Sequence, residues 1–193
     1  TLLFDAGRGV PIRFSQLRIP MAGIDALFIT HYHSDHVSGI PDLWLTGWLP
    51  AGGQRKQAFR VIGPTGAKEL MAKLEIAYAA DVRIRIADQK LPSAGATVVT
   101  EEFASDGTVY ERDGVRVSAF EVDHGDEIKP AYGYRIDYKG RSALISGDTR
   151  FSGFRHATTM QMIVNGGQCS RHRVDAVNRD LDASRPACDE VVE

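Results

Sequence analysis

Cysteine, long apolar runs and an excess of either charge are all missing from this chain, and each absence narrows what it can be. Two cysteines, Cys169 and Cys188, among 193 residues cannot build the disulfide framework of a small secreted domain, so a reducing, cytoplasmic setting is expected. No apolar stretch approaches the roughly 20 residues that a membrane-spanning helix needs. No secretory leader is evident, although the chain begins inside an apparent strand. Internal repeats, low-complexity tracts and phosphate-cradling glycine loops are also missing. The 23 basic residues stand against 25 acidic ones, for a net charge of −2, which argues against a broad basic nucleic-acid face. The short groups Arg55-Lys56 and Arg83-x-Arg85 read as solvated surface.

What is present suits one compact enzyme domain. A hydrophobic content of 43% is enough for a sizeable core at this length. Residues 2–5 and 24–30 read as buried strands. A helix is expected to start near Asp35 and run through Leu43, Trp44 and Leu45 before Pro50. The tryptophan-bearing segment 43–49 either walls a site or packs in the core, and core packing is favoured. Ala67, Leu70, Leu74, Ala77 and Tyr78 recur at helical spacing, predicting a helix with its apolar stripe in the core and Pro64 at its start. Asp113-Gly114 and Lys139-Gly140 each separate two strand-like runs and predict tight hairpins.

The chemistry concentrates in Thr30-His31-Tyr32-His33-Ser34-Asp35-His36. In an extended segment His31 and His33 project to the same side and can reach one ion, because side chains alternate with a period of two. Asp35 and His36 then turn towards a neighbouring position. Imidazole nitrogen with carboxylate oxygen suits zinc, with manganese or iron as competitors, and no cysteine stands nearby to close a structural site. Two further residues stand where strands give way to loops, a usual place for reactive groups. They are His124, after the alternating run 115–120, and Asp148, after the apolar run 142–146.

These motifs, in this order, resemble the metallo-β-lactamase fold superfamily, and within it the ribonuclease Z-like and arylsulfatase-like metallohydrolases. The likeness is carried by Leu3-Phe4-Asp5-Ala6-Gly7, the His-x-His-x-Asp-His run at 31–36, His124 and Gly147-Asp148-Thr149, so it covers roughly residues 1–155. It implies an α/β fold, the αββα sandwich, with a hydrolase domain over 1–155 and a divergent segment over 156–193. The family's first strand and C-terminal portion are not recognisable in the chain. By the same resemblance His31, His33 and His124 would hold one zinc, Asp35 and His36 a second, and Asp148 would bridge them. Asp5 would orient the loop rather than ligate. Asp35 is the expected proton acceptor in hydrolysis by a metal-activated water.

Two departures shape the expected substrate. Ribonuclease Z enzymes that mature tRNA commonly carry a long arm between the positions of His124 and Asp148, whereas only residues 125–147 separate them here. A phosphodiester, sulfate ester or related small ester is therefore the expected substrate, with RNA cleavage as the alternative and a homodimer as the assembly considered. After Arg150 the family continues to a histidine that completes the second metal site, and no equivalent is evident. His156 and His172 are possible replacements, each disfavoured as a solvated histidine. The rival to an enzyme is a metal-binding fragment with impaired catalysis.

Overall fold

The computed structural model describes residues 1–150, together with the backbone of 164–165 and 168–169. His156, His172 and Cys188 lie outside the described residues. The chain divides into two compact units, Thr1–Ala104 and Ser105–Glu193. The two four-stranded sheets follow the α/β plan expected, one parallel with helical crossovers and one an antiparallel meander.

In the first unit, β1 (Leu2–Phe4), β2 (Ala26–Phe28), β3 (Phe59–Pro64) and β4 (Val98–Phe103) form a parallel sheet in that order. Parallel neighbours cannot be joined by a tight turn, so every connection is a crossover. These crossovers carry α1 (Val10–Gln16), then α2 (Ser34–Val37) and α3 (Ile40–Trp48), and finally α4 (Ala67–Gln89). The uninterrupted burial of β2 is what a central parallel strand requires. Leu27, Ile29, Ile40, Leu43, Trp44, Val61 and Met71 meet in its core.

The helix expected from Asp35 onwards is two helices, and the break has a steric cause. Gly39 donates its N–H to Ala6 O at 2.8 Å, and a Cβ there would fall 2.4 Å from Gly7 O. The 5–7 segment occupies the space that a continuous helix would need. Pro41 then starts α3 where its missing N–H costs nothing. Trp44 and Trp48, one turn apart, are both fully buried. Their indole N–H groups donate to Ala96 O and Pro92 O, each at 2.9 Å. Core packing is therefore the role of both tryptophans.

Three expectations for this unit are corrected. Arg55 is not solvated: it is 4% exposed, donates through Nη2 to Trp44 O and Gly95 O, and lies over the Phe59 ring. Burial pushes its guanidinium down to about 10, still cationic at neutral pH. Pro64 does not open α4 but closes β3; the helix begins after Gly66, and Glu102 caps it by accepting from Gly66 N and Lys68 N at 2.9 and 2.8 Å. The α4 stripe packs on the core through Ala67, Leu70, Met71 and Leu74, but its expected members Ala77 and Tyr78 are exposed. Tyr78 nonetheless meets Trp44 edge-on.

In the second unit, β5 (Gly107–Arg112), β6 (Val115–Glu121), β7 (Tyr132–Tyr138) and β8 (Arg141–Ile145) form the meander. Both expected hairpins are present. Asp113 and Gly114 have φ of 52° and 77°, and Lys139 and Gly140 have 48° and 74°, the left-handed pair that matches the twist of adjoining strands. Because β6 and β8 both run antiparallel to β7, their last residues emerge at the same end of the sheet. Val164–Asn165 (β9) pairs antiparallel with Gln168–Cys169 (β10).

Truncation of Trp48 tests how much the packing beside Leu91 and Ala96 contributes. Trp48→Ala is expected to lose about 3–5 kcal/mol of unfolding free energy, read as a lower urea midpoint. A midpoint within error of the unaltered chain would contradict a core role.

Candidate metal centre

Strand β2 delivers the first donor group. Its ladder continues through Ile29 N to Ile62 O at 2.9 Å, which carries Thr30 and His31, both buried, to the C-terminal end of the sheet. The extended step to His33 places the two rings on one side with centroids 4.7 Å apart, and His31 Nε2 stands 3.0 Å from His33 Nδ1. The turn of α2 then brings His36 back, its ring centroid 4.1 Å from that of His31. Asp35, in the first turn of α2, is 72% exposed, and its Oδ2 lies 3.6 Å from His36 Nε2.

One carboxylate organises this cluster. Asp5 accepts from Thr30 N and Thr30 Oγ1, each at 2.8 Å, and its Oδ2 lies 2.8 Å from His36 Nδ1. Thr30 Oγ1 in turn sits 3.0 Å from His31 Nδ1. With Nδ1 of both His31 and His36 engaged, each ring is held so that Nε2 is the nitrogen offered to an ion, the arrangement by which a supporting hydrogen bond orients a ligand. These bonds are the kind that an orienting role for Asp5 requires. The backbone locks the same corner: Asp5 N donates to Phe28 O and Ala6 N to His36 O, at 2.7 and 2.8 Å. A Cβ on Gly7 would fall 1.9 Å from Asp35 O, so glycine is required there.

The second unit has a pair of its own. His124 follows β6 and Asp148 follows β8, at the shared end of the meander, with His124 Nε2 3.8 Å from Asp148 Oδ2. Asp123 supports both turns. Its Oδ1 accepts from Gly125 N at 3.0 Å, while its carbonyl accepts from Arg150 N at 2.6 Å and Thr149 Oγ1 at 3.1 Å.

The donors suit a divalent transition metal. Imidazole nitrogens and carboxylate oxygens without thiolate match zinc in a site open to water. Two nitrogens bound to one zinc at about 2.0–2.1 Å in tetrahedral geometry would stand roughly 3.3 Å apart, close to the 3.0 Å between His31 Nε2 and His33 Nδ1.

A family model for the beta-lactamase superfamily domain matches residues 1–176. The chain belongs to that superfamily. It is 35% identical over 147 residues to a ribonuclease Z of Mycobacterium marinum, covering 76% of this chain and 52% of the relative. Against a ribonuclease Z of Mycobacterium avium the identity is 37%, with the same coverage. The chain thus spans about half the length of the curated relatives it matches. Among solved structures, human tRNase Z, short form, aligns with a TM-score of 0.59 at 22% identity, over 76% of this chain and 57% of that one. A long-form RNase Z from yeast aligns with a TM-score of 0.56 at 13% identity, over 85% of this chain and 27% of that one. At these identities the two structures speak for the shared fold, the metallo-β-lactamase-like α/β fold expected.

Thr30 is the contributor that the motif reading passed over. Its only signal in sequence is being a hydroxyl residue at the end of an otherwise apolar strand. Its two bonds to Asp5 and its contact with His31 make it the link between strand and ligands. Removal of the Asp5 carboxylate should free His36 and loosen His31 through Thr30. Asp5→Ala is expected to weaken zinc affinity by about 10–100-fold, measured by competition with a chromogenic chelator. Unchanged affinity would show that Asp5 does not orient the ligands.

Proposed function

We propose that this chain carries the metal-binding part of a ribonuclease Z-type hydrolase, which cleaves phosphodiester bonds of RNA with zinc. The carrying observation is the cluster of His31, His33 and His36, in which Thr30 and Asp5 orient His31 and His36, in a chain more than one-third identical to curated ribonuclease Z proteins over 147 residues. The small ester favoured by the short 125–147 segment has no support among those relatives. That segment is filled by β7, β8 and their hairpin, so on this reading RNA is gripped elsewhere.

The proposed ligand sets are His31, His33 and His124 for one ion and Asp35 and His36 for another, with Asp148 shared. When bound, zinc acidifies water near neutral pH and polarises a phosphoryl oxygen. Manganese or iron would satisfy the same donors. Asp35, exposed on the first turn of α2, accepts the proton of the attacking water. His36, held through Nδ1, keeps Nε2 in place beside that carboxylate. Asp35, His36 and Asp148 supply three donors to the second ion, which should therefore be stripped by a mild chelator before the three-histidine ion. Among the described residues no helix is long and apolar enough to cross a membrane.

Elemental analysis of the purified chain, with cleavage of bis(p-nitrophenyl) phosphate and of a tRNA precursor, tests this reading. Zinc should be present in the unaltered chain and lost from His31→Ala/His33→Ala. Unchanged metal in that double variant would overturn the ligand assignment, and one tight ion without turnover would favour the catalytically impaired fragment. Asp35→Asn should lower turnover by roughly a hundredfold or more with the circular dichroism spectrum preserved. Full turnover would remove Asp35 from the mechanism.

A further inference from the structure

Arg150 is an exposed guanidinium on the turn that carries Asp148, and the fold fixes where it lies. Its backbone N–H donates to Asp123 O at 2.6 Å, pinning the residue beside the His124 turn. Thr149 Oγ1 reinforces that contact at 3.1 Å. The side chain then folds over Gly125: a Cβ at position 125 would come within 2.9 Å of Arg150 Nη2 and 3.4 Å of its Cζ. Gly125 also has φ of 123°, so the backbone that flanks His124 is bare where the guanidinium sits. Two independent features, a main-chain clamp and a missing side chain, therefore hold one cation next to the His124–Asp148 pair.

None of the ion pairs among the described residues engages Arg150 with a carboxylate; Arg8, Arg18, Arg83 and Arg141 share that state, and what sets Arg150 apart is its place against the His124 turn. A cation left unpaired beside metal-ligand candidates suits an anionic substrate. The planar fork of arginine matches two oxygens of a phosphate, which lysine meets only as a point charge.

We infer that Arg150 is a substrate-binding residue, whose guanidinium holds non-bridging oxygens of an RNA phosphodiester presented to the His124–Asp148 pair. The assignment rests on the phosphodiesterase reading above. It adds a phosphate contact supplied by the turn after β8, where the sequence itself showed only the tripeptide Gly147-Asp148-Thr149. The contact is short-range and directional, so its loss should affect both RNA binding and phosphodiester turnover.

The test compares the zinc-loaded full chain with Arg150→Ala and Arg150→Lys. Fluorescence anisotropy of a labelled RNA oligonucleotide, titrated at several salt concentrations, is run beside kinetics on bis(p-nitrophenyl) phosphate. Arg150→Ala should lose about 10–100-fold in kcat/KM. Its RNA affinity should lose about 0.7 from the slope of log affinity against log salt, the amount expected for one phosphate contact on a single strand. Arg150→Lys should recover the salt slope but only part of kcat/KM, while zinc content stays at the unaltered level in both. RNA affinity and KM unchanged in Arg150→Ala would overturn the assignment. So would a loss of zinc that accompanies the loss of activity, since that marks a merely structural role. Absence of phosphodiester cleavage by the unaltered zinc-loaded chain is a different result: it removes the underlying reading, and the assignment with it.

Discussion

The carboxylate of Asp5 is the interaction on which the first unit's functional corner depends. It sits at the end of β1, yet its three polar contacts are with Thr30 and His36, residues that follow β2. A single group therefore joins two neighbouring parallel strands and sets the orientation of two imidazoles. Partly buried carboxylates are costly unless hydrogen-bonded, and here the partners that satisfy Asp5 are the ones that need orienting. Stability and the geometry of the candidate ligands therefore rest on the same set of bonds. Gly7 and Gly39 serve that arrangement by letting backbone approach backbone where any side chain would collide with Asp35 O or Gly7 O.

Much of the site was legible because its information is local. His31, His33, Asp35 and His36 fall within six positions, and the alternation of a strand followed by one helical turn suffices to bring the three rings together. The hairpins at Asp113-Gly114 and Lys139-Gly140 were legible for the same reason, since a left-handed pair of turn residues is a property of the dipeptide. Long-range packing was not. Arg55-Lys56 looks like a charged surface pair, and nothing nearby in sequence reveals that Trp44 O and Gly95 O will accept from Arg55. Glu102 caps α4 from 34 residues away, so the start of that helix was misplaced onto Pro64. The break at Gly39 likewise depends on Ala6 and Gly7, which local periodicity cannot see.

Topology explains why His124 and Asp148, each expected where a strand gives way to a loop, come together. In a meander, alternate strands run the same way, so β6 and β8 end on one side of β7. Turns at that side are free to vary without disturbing the register of Val117, Ala119 and Tyr134. Asp123 uses this freedom, tying the two turns through a carbonyl that accepts from both Thr149 and Arg150. The opposite end of the sheet, closed by two-residue loops, has no such latitude. Its charges are spent internally: Arg135 donates to Asp137, and that hydrogen bonding, with help from Ser142, holds the Asp137 carboxyl below its usual range.

On the proposed ribonuclease Z reading, charge balance would constrain how the chain acts on RNA. With 25 acidic against 23 basic residues, the chain lacks the excess of cations that would release many counterions at once, the term that dominates non-specific nucleic-acid binding. Under that proposal, phosphate recognition would be concentrated near the candidate metal centre, on a few well-placed donors. That favours binding energy expressed at the scissile phosphate over uniform grip along the strand, which is the more effective use of it in catalysis. The same logic would account for His31 and His36 being oriented by Thr30 and Asp5 in advance of any substrate. When few contacts are available, each must already be in place, because the cost of ordering it would otherwise be taken from the same small number of interactions.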